Sequence, residues 1–141
     1  MLQQNTTKRL GYWLLLLHLT FEEDMAAALA DQNLDRRRWQ VLHALAIGVG
    51  TTHEIDAAFA PFLAVDRLST YAHVIEDFRA RGWVRVSGGS VVLTPAGVTA
   101  HERAEAVVND QAAGILDGIS EPEFLGANDV LERIHLNMRR G

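Results

Sequence analysis

The sequence predicts a mainly α-helical chain with one small β-hairpin, and three observations between Thr51 and Gly97 carry that expectation. Thr51 and Glu54 make a capping box ahead of Ile55, Ala58 and Phe59, which starts a helix. Tyr71, Val74, Ile75 and Phe78 then recur at helical spacing, and Gly82 stops that second helix. Two short strands follow, Trp83 to Ser87 and Ser90 to Thr94, joined by Gly88-Gly89, a pair that supplies the positive φ angles of a two-residue hairpin turn. Thr94 caps the next helix, with Pro95 at its first position. Helix, turn, helix, hairpin and a new helix, in this order, make a winged helix-turn-helix, an arrangement that usually meets DNA.

The rest of the chain reads as helices flanking that motif. Helix one is expected from about Thr7 to Asp31, because Leu10, Leu14, Leu17, Phe21, Met25 and Ala28 keep helical spacing. Lys8 and Arg9 before the apolar run Tyr12 to Leu19 imitate a signal peptide, but the run is shorter than the roughly 20 residues a membrane span needs. Glu22, Glu23 and Asp24 also interrupt it while the helical pattern continues through them, so an amphipathic helix is the reading and the Asn5-Thr6-Thr7 sequon carries little weight. Asp35 caps helix two, with Leu34 and Trp39 as a hydrophobic staple and Trp39, Leu42 and Ala46 facing inward. Pro61 is expected to end the third helix near Ala60, leaving Phe59-Ala60-Pro61-Phe62-Leu63 as a bulky turn. The fifth helix carries Val98, Val108, Ala112 and Ile115 on one stripe and breaks near Gly118. Ser120 and Glu123 open the sixth, whose face of Phe124, Leu131, Ile134 and Met138 approaches a heptad seam. Six helices and one hairpin therefore account for nearly the whole chain.

Composition limits the classes of function. At 141 residues and 48% hydrophobic content the chain can build one real core, and without cysteine it has neither disulfides nor thiolate chemistry. A cytoplasmic location with no membrane association is the expectation. The net charge of −5 is unusual for a nucleic-acid binder, and residues 48–95 hold five acids against four arginines, so the motif itself is about neutral. No glycine-rich phosphate loop, nucleophile elbow or recognisable carboxylate pair is present, which argues against an enzyme and against a cofactor. The six histidines never recur at the three- or four-residue spacing of a metal-binding helix face. A metal site would have to assemble across helices from His101, Glu102 and Glu105, with His18 and His43 joining; the alternative is histidines satisfied in a core or pocket, and no metal site is assigned.

Helix one is apolar on every side between Tyr12 and Leu19 except at His18, and helices five and six add further apolar stripes. That is more surface than a small winged domain buries, and two subunits interleaving these helices would cover it. The organisation expected is one domain over 1–141, an intertwined helical homodimer in which 1–34 and 98–141 dimerise and 35–97 forms the winged helix-turn-helix.

Leu10-Gly11-Tyr12, the run LDRRRWQVLHAL from Leu34 to Leu45, Arg81-Gly82-Trp83-Val84, Leu93-Thr94-Pro95-Ala96-Gly97 and the closing Val130-Leu131 to Met138-Arg139-Arg140 together resemble the MarR family. The resemblance implies a homodimeric transcription regulator, usually a repressor, bound to a pseudo-palindromic operator in double-stranded DNA and retuned by a small-molecule effector. On that reading the second helix of the motif enters the major groove with Ser69, Thr70 and His73 outward and Arg67 just ahead of it, while Arg85 lies on the hairpin. Tyr12, Trp13, His18, Trp39 and His43 are candidates for an aromatic effector pocket between helices one and two, or for ordinary core packing. Arg36, Arg37 and Arg38 oppose a helix macrodipole and meet an anion or pair with acids such as Glu22, Glu23 and Asp24. The family's wing is usually longer and carries Arg and Asp near its tip, the Arg entering the minor groove, whereas here the tip is Ser87-Gly88-Gly89-Ser90, which tells against minor-groove reading. A winged-helix protein that has lost DNA binding and serves as a protein-interaction or ligand-binding module is the alternative, and a metal- or pH-sensing regulator a further one.

Overall fold

The computed structural model describes the backbone of residues 2–141 and the side chains of residues 9–141, so the side chains of Lys8 and of the Asn5-Thr6-Thr7 sequon lie outside the described residues. The elements are α1 (Leu2–Ala28), α2 (Arg36–Ala46), α3 (Thr52–Ala58), α4 (Ala60–Asp66), α5 (Ala72–Ala80), β1 (Val84–Ser87), β2 (Ser90–Leu93), α6 (Pro95–Ile115) and α7 (Glu121–Arg140). A 3-10 turn, Ala30–Gln32, follows α1. Two compact units divide the chain, one reaching Val108 and the other Asn109–Gly141.

In the first unit, α2 is the central helix. Its residues Arg37, Trp39, Val41, Leu42, Ala44 and Leu45 are buried, which no single face can hold, so neighbours cover it on several sides. Met25 of α1, Leu29 and Leu34 on either side of the 3-10 turn, Ile55 of α3, Tyr71, Val74, Ile75 and Phe78 at α5, Val84 and Val91 of the hairpin, and Ala104 of α6 complete the core. The Asp35 cap is formed, with its carboxylate accepting from the Arg38 amide at 2.9 Å. Ala46, expected inward, is exposed because the helix ends there and the chain turns away at Ile47 and Gly48.

The motif has one more helix than the sequence reading allows. Pro61 does not leave a turn: it occupies the first turn of α4, where its missing N–H costs nothing, and Phe59 alone separates α3 from α4. The chain holds seven α-helices among its described residues, not six. Arg67 ends α4 in the left-handed region with φ +57°, a cap that usually calls for glycine, and Leu68 N–H donates to Leu63 O at 3.0 Å. Gly82 closes α5 in the expected way, with Trp83 N–H reaching Phe78 O at 2.9 Å.

The hairpin forms in the register Val84↔Leu93 to Ser87↔Ser90, and Gly88 and Gly89 both have positive φ, +58° and +84°. Val91 N–H donates to Gly50 O at 2.8 Å, and Thr51 bridges to Ser90, so the hairpin is tied to the entry of α3. In α6 the inward stripe is Gly97, Ala100, His101 and Ala104, with Val108 partly buried, whereas Val98 and Ile115 are exposed. Small residues lead this stripe because the helix starts against backbone. A Cβ built on Gly97 would lie 2.0 Å from the Trp83 carbonyl oxygen.

The apolar run of α1 is uncovered in the single chain: Tyr12 is 61% and Leu15 60% exposed, and Leu14, Leu16, Leu17 and Leu19 are exposed as well. In the second unit, the Ser120–Glu123 capping box opens α7, whose Phe124, Leu125, Leu131 and Met138 are exposed. Gly97→Ala is expected to lower stability by ~1–3 kcal/mol or more, as overpacking against rigid backbone does. Urea unfolding checks this, with Gly114→Ala, where the new methyl meets open space, leaving the midpoint unchanged or slightly raised.

Candidate functional site

The outer surface of α5 and the loop before it form the site the sequence points to. Val74, Ile75 and Phe78 turn inward, which leaves Ala72, His73, Glu76 and Arg79 exposed. Ser69 and Arg67 are exposed in the loop from α4, and Arg85 is exposed on β1. Thr70 is placed differently from its neighbours. Its hydroxyl donates to Asp56 Oδ2 at 2.7 Å and accepts from the Ala72 amide at 3.1 Å, while Asp56 Oδ1 takes the Tyr71 amide at 2.8 Å. Thr70 and Asp56 thus satisfy open donors at the start of α5 and bind that end to α3.

The other end of α5 is held by charge. Arg38 Nε donates to Asp77 Oδ2 at 3.0 Å, and Arg81 pairs with the same carboxylate at 2.9 Å. Arg81 also donates to the carbonyls of Gln32 at 3.3 Å and Asn33 at 2.9 Å and lies over the Trp83 ring. Burial raises the Asp77 pKa, but the bonds from Arg81 and Arg38 outweigh it and hold the carboxyl below its ordinary range. On the outer face Arg79 pairs with Glu76 one turn back. Among the described residues Arg67 and Arg85 form no ion pair, so the face offers few uncommitted cations.

The three arginines opening α2 pair with acids. Arg36 and Arg37 both reach Glu22 Oε1 at 3.0 Å, and Arg38 returns to Asp35 at 3.1 Å. Glu23 and Asp24 are exposed, and the remaining partners come from far along the chain. Arg37 binds Asp66 through Nε at 2.7 Å and through Nη2 at 3.2 Å, and Phe62 lies 4.3 Å from its guanidinium carbon. Tyr71 Oη donates to Asp66 Oδ2 at 2.7 Å. Bonding to Arg37 lowers the Asp66 pKa; burial, then the bond to Asp66, pushes the Tyr71 phenol up.

The proposed effector residues fall into three settings. Tyr12 and Trp13 touch edge to face at 5.3 Å and are exposed on α1. His18 Nδ1 lies 3.4 Å from Arg36 Nη1, beside Glu22. Trp39 and His43 stack at 5.0 Å and are joined by His101, a residue the sequence reading kept apart from the pocket. His43 Nδ1 lies 3.0 Å from His101 Nε2, with Glu105 close to both. Burial depresses the His101 pKa, against the attraction of Glu105, and favours the neutral ring. Elsewhere a cleft of about 410 Å³ lies between Asp31 and Gln32 on one side and Trp83, Thr99 and Arg103 on the other.

No protein-family model and no curated protein matches the chain. Solved structures do. A MarR family transcriptional regulator from Silicibacter pomeroyi is 22% identical over 96% of this chain and 97% of its own, with a TM-score of 0.74. A MarR family protein of Mycobacterium tuberculosis in complex with DNA is 24% identical over 89% of this chain and 96% of its own, TM-score 0.64. The same protein in complex with salicylic acid aligns at 24% identity and TM-score 0.63, covering 89% of this chain and 97% of that one. At these identities the likeness establishes the fold, a winged helix-turn-helix of the kind seen in MarR family structures.

Because Asp66 is held below its ordinary pKa, its pairing stabilises the fold above the unfolded-state value near 4 and is lost as pH falls through the lower folded value. Asp66→Asn is expected to cost ~2–4 kcal/mol at pH 7 by leaving Arg37 under-compensated. The gap from the parent should narrow below pH ~4, as urea midpoints across a pH series will show.

Proposed function

We propose that the chain is a MarR-type transcription regulator that binds a pseudo-palindromic operator as a homodimer, with α5 as its recognition helix, and acts as a repressor released by a small molecule. The observation that carries this reading is the two-ended fixation of α5, by Asp56 at its start and by Arg38 and Arg81 on Asp77 near its end, which leaves His73 exposed on a rigid helix and Ser69 exposed in the loop that leads into it. Base readout demands a helix held in one orientation, which this bracing supplies. The fold supports it, as does a neighbour of this fold solved on DNA. The exposed leucines of α1 support the dimer, since apolar area of that extent requires a cover. A neighbour solved with salicylic acid supports a small aromatic effector. Among the described residues no helix is long and apolar enough to cross a membrane, which agrees with a cytoplasmic regulator.

Anisotropy of labelled DNA from upstream of the gene, against a scrambled control, tests the reading. Saturable preference for the upstream DNA is expected, with a salt slope shallower than that of proteins making roughly 6 to 10 phosphate contacts, because among the described residues Arg67 and Arg85 are the arginines of the motif outside any ion pair. Ser69→Ala with His73→Ala should weaken operator binding about tenfold or more while leaving the dimer intact. Thr70→Ala, by contrast, should act through stability, because its hydroxyl serves Asp56 and the α5 amides. Glu76 on the exposed face and the short uncharged wing tip favour a second reading, an interaction module that no longer binds DNA. Equal or absent binding to both DNAs, together with no change in the double variant, would select it. Sedimentation should give twice the chain mass, and Leu15→Glu should reduce it to one chain.

A further inference from the structure

We propose that His43, His101 and Glu105 form a zinc site joining the last turn of α2 to the middle of α6. His43 Nδ1 and His101 Nε2 stand 3.0 Å apart, and Glu105 Oε2 lies 3.9 Å from the first and 3.7 Å from the second. The nearest point equidistant from the three atoms lies in their plane about 2.1 Å from each, the length of a zinc–nitrogen or zinc–carboxylate bond, so a tetrahedral ion just above that plane needs the donors to close in slightly. Two imidazoles and a carboxylate are a donor set suited to zinc, and they leave its fourth tetrahedral position open to solvent.

The surroundings bring the donors together. His101 and Glu105 are one turn apart on α6 and so project from one face. Trp39 stacks on both imidazoles, at 5.0 Å from His43 and 5.5 Å from His101, and His101 itself is buried. Half-exposed His43 and Glu105 provide the way in. Without metal, the two facing nitrogens share one hydrogen. On binding, the rings turn so that both lone pairs address the ion, and that hydrogen moves through solvent to the other nitrogen of its ring, leaving both imidazoles neutral. The same three residues are the sole His and carboxylate group of three or more so convergent among the described residues. This inference is independent of DNA binding.

Zinc titration of the tag-free full-length chain in competition with a chromophoric chelator tests it, with cobalt(II) as a spectroscopic probe. One zinc per chain is expected, weakened tenfold or more by His43→Ala and by Glu105→Gln and unaffected by His53→Ala or His135→Ala. Cobalt should give the visible bands of a four- or five-coordinate site, lost in both site variants. Circular dichroism confirms that each variant is folded, and Glu105→Gln, a half-exposed and nearly isosteric change, decides the matter if His43→Ala is not. Failure to retain zinc against the chelator, or unchanged binding in Glu105→Gln, would overturn the site and leave the histidines as a hydrogen-bonded pair.

Discussion

Arg37 lies inside the first unit with its charge balanced by carboxylates from two other helices, Glu22 of α1 and Asp66 of α4, and with the Gln40 side chain taking a further bond. Burial works against a charged guanidinium, yet the bonds to Asp66 and Glu22 outweigh it and hold the pKa above its ordinary value. Because Asp66 also accepts the phenol of the wholly buried Tyr71, one guanidinium fixes where α1, α4 and the start of α5 stand relative to α2. Such a network is expensive to break, since removing Asp66 takes from the buried Arg37 the carboxylate that binds it through two nitrogens. Phe62 lies over the same guanidinium, which explains why the stretch around Pro61 is so apolar for a connection between helices. It is a short helix that lays a ring on a cation.

Much of this architecture was legible because its signals are local. Capping at Asp35, Thr51 and Ser120, the positive φ of Gly88 and Gly89, and the inward set Tyr71, Val74, Ile75 and Phe78 depend on residues within a few positions of one another. What escaped was long-range or ambiguous. Pro61 ends a helix or begins one with equal local justification, and the bond from Leu63 N–H to Phe59 O at 3.0 Å shows that here it begins one. The partners of Arg37 and Arg38, Asp66 and Asp77, are separated from them by 29 and 39 residues, beyond the reach of any spacing argument. Glu22 alone among the three acids of α1 meets the arginines, since the turn of the helix sends Glu23 and Asp24 to solvent.

The candidate site was legible in outline but not in role. His73 is exposed as the helical phase requires, while Ser69 and Thr70 precede the helix, where Ser69 is exposed and Thr70 faces Asp56. The small excess of acid in the motif also acquires a physical meaning. Asp56, Asp66 and Asp77 are spent on internal bonds to amides, to Tyr71 and to arginines, so formal charge along the segment is a poor guide to the potential its surface presents. The aromatic residues grouped as one pocket separate because α1 carries Tyr12 and Trp13 well before the part of the helix, around Met25, that reaches the core.

The contact between Gly97 and the Trp83 carbonyl has a mechanical meaning. Where two elements meet through side chains, rotamer changes absorb small displacements and the elements slip past each other. Here backbone rests on backbone at the foot of the hairpin, and Thr94 fastens the joint by donating to Gly82 O at 2.6 Å and accepting the Gly97 amide. Little compliance remains at that point. A tilt of the hairpin is therefore handed to α6 as a movement of its whole first turn, and one turn further along that lever stands His101.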